Sequence, residues 1–204
     1  MSLFAHMAIR DTGTEQLIKD TAKRIYFAEG KLHANTQQIA DAAGVSRTLL
    51  NYYFRSKDIL IQQVFKEAVH SLTNRLNEVM ESNLPFKKKI ENLIEVFLME
   101  AIAYPYQETF LITEIVSETC DYSDENKSQK MQKFLCQIKA EMDAGEIERM
   151  NPIHFMMNLF SLMAYPLIMA PLYKKLFNLN NESFNRIIHE RKKMICNLVF
   201  SKKN

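Results

Sequence analysis

Apolar positions along this 204-residue chain recur at steps of three and four almost throughout, the spacing that gathers side chains on one face of an α-helix. Ile18, Ala22, Ile25 and Tyr26 form the first such stripe. The Thr12-x-x-Glu15 capping-box spacing starts that helix near Thr14, and Gly30 stops it. A short helix over Thr36–Ala43 follows, opened by Asn35-x-x-Gln38 and closed by Gly44 where a left-handed residue fits. Ser46 then caps a second short helix, Arg47–Phe54, with Leu50 and Phe54 one turn apart on its buried side. Ser56 caps a long helix reaching about Ser82, with Val64, Phe65, Ala68, Leu72, Leu76, Val79 and Met80 inward. At ~1.5 Å per residue it exceeds ~30 Å.

Five more helices fill the remainder. One opens at Pro85 and buries Phe86, Ile90, Leu93, Ile94, Phe97 and Leu98, its Lys87-Lys88-Lys89 run reading as a solvated first turn. Another follows Pro105 over Tyr106–Thr119. A third is capped by Ser123 and ends at Gly145, with Met131, Phe134, Leu135 and Ile138 inward. Asn151-Pro152 is an N-cap with an N1 proline, opening an apolar helix that reaches Phe177. The last runs about Asn181–Phe200. With 4 Gly and 5 Pro in the whole chain, turn-rich β architecture is disfavoured and the fold reads as all-α, about nine helices.

The two short helices joined at Gly44 describe a DNA-reading helix-turn-helix, because the second presents polar and aromatic side chains away from its buried stripe. Arg47 carries a fork that matches guanine O6 and N7, Thr48 suits a base or a thymine methyl, and Asn51 can pair with adenine N6 and N7. Ser46 and Tyr52 complete that face, and Tyr53 fits a phosphate contact. Thr36 and Gln37 lie at a helix N-terminus, where free N–H groups and the dipole favour a phosphate. Lys57 in the first turn of the long helix opposes that helix's dipole, which a neighbouring phosphate would explain. In the leading segment, Arg10 is a candidate for a basic arm reaching the minor groove, or simply part of a loose terminus.

The constellation Gly44-Val45-Ser46, Leu50, Tyr53-Phe54 and Ser56-Lys57 resembles the helix-turn-helix of the TetR family of bacterial regulators, closely from about Ile18 to Lys57. Asn51-Tyr52 departs from the Tyr-His or Tyr-Tyr usual there, which implies a different operator, and Leu49 replaces a small hydroxylated residue. The resemblance implies a three-helix DNA-binding head over residues 1–58, joined by the long helix to a ligand-binding and dimerisation bundle over residues 59–204. It also implies a homodimer through the last two helices, bound to double-stranded DNA at a palindromic operator with recognition helices ~34–36 Å apart. Such regulators mostly repress and are released by a small-molecule effector. Two rivals stand beside this reading: a DNA-binding regulator without an effector, and an all-α ligand carrier or enzyme whose helix-turn-helix is incidental.

Large adaptable side chains in the middle helices are the candidates for an apolar effector pocket. On the chain they are Phe97, Met99, Tyr104, Tyr106 and Phe110, then Met131, Phe134, Met157 and Phe160. Each also fits plain core. Glu114, on an otherwise apolar helix, reads either as the partner of a cationic ligand or as a surface group paired with a lysine.

Charge sharpens the picture slightly. Of 26 Lys/Arg and 24 Asp/Glu, residues 1–58 hold 8 and 6, leaving 18 of each beyond them, so the net +2 lies in the head. That excess is small, and DNA affinity must come from placed contacts doubled by dimerisation. Cys120, Cys136 and Cys196, odd in number and without CxxC spacing, fit free thiols in a reducing cytoplasm. MSLFAHMAIR lacks the pattern of a signal peptide. Phe155–Leu172 approaches membrane-spanning length, but Asn158, Ser161, Pro166 and Pro171 make a buried, kinked helix the expectation. His70, His154 and His189 lack metal-ligand spacing, with His154 read as an interior histidine, and no nucleophile elbow or phosphate loop occurs. No catalytic residue, metal or cofactor is therefore assigned.

Overall fold

The computed structural model describes residues 12–116 and 125–200, and these are helical with no strand among them. Arg10, Cys120 and the Ser123 cap lie outside the described residues. Helix α1 (Thr12–Lys23) passes directly into a π-helical turn, Arg24–Ala28, marked by the wide bond from Glu29 N–H to Arg24 O at 3.0 Å. The turn buries three successive side chains, Ile25, Tyr26 and Phe27. Phe27 escapes a 3.6-residue stripe because the widened turn packs against a second partner, described below. Gly30 then takes φ +68° and turns the chain.

Local chemistry builds the next three elements. Asn35 and Gln38 form a reciprocal capping box at the start of α2 (Thr36–Ala43): Asn35 Oδ1 accepts from Gln38 N–H at 3.0 Å and Gln38 Oε1 from Asn35 N–H at 2.9 Å. Gly44, at φ +69°, closes it in the left-handed region. Ser46 Oγ accepts from Leu49 N–H at 3.1 Å to start α3 (Arg47–Phe54), and Ser56 Oγ from Ile59 N–H at 3.2 Å to start α4 (Lys57–Glu81). Five elements follow: α5 (Phe86–Ala103), α6 (Gln107–Val116), α7 (Glu125–Asp143), α8 (Pro152–Ile168) and the short α9 (Ala170–Leu176). The last described element is α10 (Asn181–Phe200).

Two hydrophobic cores share α4. Its first half gives Leu60, Ile61, Val64, Phe65, Ala68 and Val69 to a head core with α1, α2 and α3. Leu76, Val79 and Met80, near its far end, pack against the core of the bundle. Twenty-five residues at ~1.5 Å each make α4 a rod of about 37 Å fixed in both bodies. It is not the sole connection. Phe110 and Leu111 of α6 belong to the head core, where the Phe110 ring stacks on Tyr26 at 5.3 Å and meets Phe27 edge-on at 4.9 Å.

Three expectations are corrected. The long apolar helix expected from Asn151 to Phe177 is two helices, α8 and α9, bent by 63°. Pro166 and Pro171 cannot donate to the carbonyls four residues before them. The Leu162 carbonyl left by Pro166 accepts instead from Arg191 Nε at 3.2 Å and Nη2 at 2.5 Å. Among the described residues no single helix is long and apolar enough to cross a membrane. Lys89 is not part of a solvated turn: it is 7% exposed, and its Nζ donates to Met80 O at 2.9 Å and Gln137 Oε1 at 3.2 Å. It thus ties the C-terminus of α4 to α5 and α7. His154 is exposed rather than interior, because α8 is apolar around much of its circumference and periodicity alone does not pick its inner face. Cys136 is exposed and Cys196 half-buried, both free thiols.

Candidate nucleic-acid interface

The head presents one polar face. Arg47, Thr48, Asn51 and Tyr52 of α3 are exposed, with Ser46 at the helix start and Leu49 beside them, while Leu50 and Phe54 are wholly buried behind. The side chains suited to base edges therefore stand on a helix whose opposite face is locked into core, the arrangement that a rigid reading helix needs. Arg55, at φ 57°, ends α3 and swings the chain into α4.

The remaining sequence candidates sit around this face with different freedom. Gln37 is exposed, and its Nε2 donates to Asp41 Oδ1 at 2.7 Å, so reaching a phosphate means exchanging that bond. Thr36 and Lys57 are half-buried at the starts of α2 and α4. Tyr53 is a core residue, 7% exposed, its ring against Tyr52 and Phe54; only the rim of that side chain is available to a partner.

The proposed effector residues do not converge. Phe97 and Phe134 lie in the bundle core, with Met131 and Phe160 packed against it. Phe110 belongs to the head core, with Tyr104 against it. Tyr106 seats its ring over Gly30, so close that a Cβ there would lie 2.9 Å from the ring carbons, and its N–H donates to Phe27 O at 2.9 Å. Met157 is 57% exposed on α8. Glu114 is half-buried at the head end of α6, in the field of Lys57 and Asp58, and burial raises its carboxyl above the usual range. Spacing distinguishes inner from outer faces but not which of two cores a face enters. A groove of about 530 Å³ lined by Leu162, Tyr165, Pro166, Tyr173, Phe184 and Arg191, among others, opens where α8 breaks, and none of the ten candidates, the exposed Met99 included, lines it.

Sequence reasoning passed over a polar group at the junction of α4, α5 and α6. Arg75 Nη2 donates to Glu100 at 2.7 Å, and Arg75 Nε is buried without a partner. Burial, then the nearby Glu100 charge, pushes the Glu108 carboxyl up to about 7. Gln107 is 1% exposed, with neither amide atom hydrogen-bonded. After Pro105, Gln-Glu reads as the ordinary polar start of a helix, so no sequence signal marks it. Among the described residues no group of three or more His, Cys, Asp or Glu side chains is arranged to hold a metal ion.

Residues 18–64 match the family model described as bacterial regulatory proteins, tetR family. No curated protein matches the chain. Solved structures do. A TetR family transcription regulator from Marinobacter aquaeolei VT8 is 15% identical over 95% of this chain and 98% of its own, with a TM-score of 0.63. The TetR family transcriptional regulator PfmR from Thermus thermophilus is 13% identical over 93% and 96%, TM-score 0.61. The transcriptional regulator FadR from Bacillus subtilis, solved in complex with stearoyl-CoA, is 15% identical over 93% and 100%, TM-score 0.58. At such identities these likenesses carry the fold alone. Residues 18–64 thus carry a helix-turn-helix of the tetR family, borne on a fold shared with solved TetR-family transcription regulators.

Proposed function

We propose that the protein is a cytoplasmic homodimer that binds a palindromic operator through α3 and represses until a small effector enters the bundle. The observation that carries the reading is the exposed Arg47, Thr48, Asn51 and Tyr52 face on a helix fully buried behind. Arg47 is the base-reading residue, Thr48 and Asn51 its neighbours in the groove, and Thr36, Gln37, Ser46, Tyr52, Tyr53 and Lys57 flank them towards the phosphates. The working division of the chain falls at residues 58 and 59, with the start of α4 packed into the head.

Dimerisation is supported by an apolar surface on the last helices. Ile153, Met157 and Tyr165 on α8 and Ile187, Met194 and Leu198 on α10 are all exposed in the single chain, and such a patch marks an interface. Pairing these helices with a second copy doubles every phosphate contact, which a head of small net charge requires.

Release follows from α4 being fixed in two cores. An effector that favours the non-binding geometry by ~1–3 kcal/mol lowers operator affinity about 5–150-fold, and a firmly packed rod transmits that as rigid-body motion. That a distant structural neighbour, FadR, was solved with stearoyl-CoA is in keeping with ligand control of this fold. No reaction step is assigned to the protein. The test is fluorescence anisotropy of the full chain on the DNA upstream of its own gene: saturable, salt-sensitive binding supports the reading, and binding no tighter than to unrelated duplex refutes it.

A further inference from the structure

One side of α10 and the first turns of α5 form a groove of about 630 Å³, within the ~300–1,000 Å³ of small-molecule sites. It lies past the end of α4 that is remote from the reading head. Lys87 and Glu91 line it from α5, and His189, Lys192 and Lys193 from α10. Half-buried Cys196 and Phe200 add sulfur and aromatic surface. The two helices are tied nearby, where Lys192 Nζ donates to Glu95 at 2.6 Å. His189 and Cys196 each stand two residues on from Ile187 and Met194, about 200° round the helix. A dimer formed through Ile187, Met194 and Leu198 therefore leaves the groove open.

The charges in the groove do not balance. Three lysines open α5 against its dipole, and Pro85 at the N-cap offers no side chain to cap it. Two of the three are served. Lys88 Nζ donates to Glu91 at 2.6 Å, and Lys89 Nζ donates to Met80 O and Gln137 Oε1. Lys87 is exposed, its Nζ 5.5 Å from the centroid of the Phe200 ring and in no hydrogen bond among the described residues. Lys193, across the groove, is exposed and likewise has no partner among the described residues. Glu91, the one carboxylate among the lining side chains, is already held by Lys88 and lies in the field of Lys87 and Lys192 too. With Lys88 and Lys192 set against Glu91 and Glu95, the positive charges of Lys87 and Lys193 remain. Two such charges beside an uncapped helix start favour an anion over a cation, and a dianion over a monoanion. A phosphate monoester carries close to two negative charges at neutral pH, and a carboxylate or sulfonate carries one. The groove is also larger than a phosphate group alone needs.

We propose that the groove between α5 and α10 binds a small organic phosphate monoester. Lys87 and Lys193 hold the phosphate from the two helices, His189 donates an N–H to it, and the organic part lies against Phe200 and Cys196. This site is separate from the operator face of α3, and it stands whether or not the protein represses. A phosphate shared by lysines of both helices fastens α5 to α10, whose opposite face carries the exposed Met194 and Leu198.

The probe is phenyl phosphate, titrated calorimetrically into the full chain at low ionic strength, where exposed charges are least screened. Benzenesulfonate supplies the same ring with one negative charge, and inorganic phosphate supplies the charge without a ring. Phenyl phosphate is expected to bind at least about tenfold more tightly than either. Lys87→Gln with Lys193→Gln is expected to abolish the preference over the sulfonate. The unliganded melting temperature of that variant should be unchanged or higher, because a cation opposing the α5 dipole has gone. Phenyl phosphate should also slow the alkylation of Cys196 by iodoacetamide, followed by mass spectrometry, and leave that of the exposed Cys136 unaltered. Absence of phenyl phosphate binding, equally tight binding of benzenesulfonate or of inorganic phosphate, wild-type affinity in the double variant, or a Cys196 left unprotected overturns the proposal. None of these outcomes bears on operator binding, which is read separately by anisotropy.

Discussion

Replacing Glu108 by glutamine is expected to stabilise the protein at alkaline pH and do little at acidic pH. Burial, with Glu100 adding repulsion, raises the Glu108 carboxyl from its ordinary 4.5 to about 7. That difference corresponds to about 3 kcal/mol of penalty on the charged form, and partial solvent access reduces the working figure to about 2 kcal/mol. Because the folded-state value is raised, the folded chain holds more protons than the unfolded one between about pH 4.5 and 7. Stability from this residue therefore falls as pH rises through that window and is flat above it. Glutamine has nearly the same shape and never ionises. Urea unfolding of both proteins at one fixed protein concentration, at about pH 5 and about pH 8, reads the effect, the fixed concentration being needed because a dimer's stability depends on it. The variant should exceed wild type by about 2 kcal/mol at the higher pH and match it at the lower. An offset that is equal at both pH values, or a variant less stable at about pH 8, would show that Glu108 is not held in a desolvated site.

Other consequences are simpler to state. Gly30→Ala places a Cβ at φ +68° and 2.9 Å from the Tyr106 ring, so urea unfolding should show a loss of at least about 1 kcal/mol. Lys89→Met removes the amine that serves Met80 O and Gln137 Oε1; thermal unfolding should show a cost of about 1–3 kcal/mol from the unserved carbonyl. Met194→Glu and Leu198→Glu together put charges on side chains that are 51% and 59% exposed in the single chain, so light scattering should report a dimer for the wild type and a monomer for the variant. An unchanged dimer would exclude α10 from the interface.

How far the sequence could be read depended on the range of the interactions involved. Asn35, Gly44, Ser46 and Ser56 act within three or four residues of themselves, and their roles follow from residue type and spacing. The inward stripes of α1, α4 and α5 follow from helical period. What failed depended on distant partners. The break at Met169 is announced by Pro166 and Pro171, yet the carbonyl that Pro166 frees is taken by Arg191 of α10. Lys89 sits in a run of three lysines and differs from its neighbours only because Met80 O and Gln137 lie above it. Phe110 and Phe134 carry the same signature of an apolar helix face, and topology sends one to the head and the other to the bundle. Gln107 and Glu108 gain meaning only when Arg75 and Glu100 arrive from two other helices.

The central claim, that α3 lies in a DNA groove with Lys57 on the backbone, is tested most directly by a salt titration of operator affinity. Fluorescence anisotropy on the protein's own upstream DNA should give a linear fall of log affinity with log salt, about 0.9 in slope for each phosphate neutralised. Arg47→Ala with Lys57→Ala should lower affinity at least about tenfold through the lost base contact, and should flatten the slope by about 2 for the two lysines of a dimer. A double variant that keeps both the affinity and the slope of wild type would contradict the account.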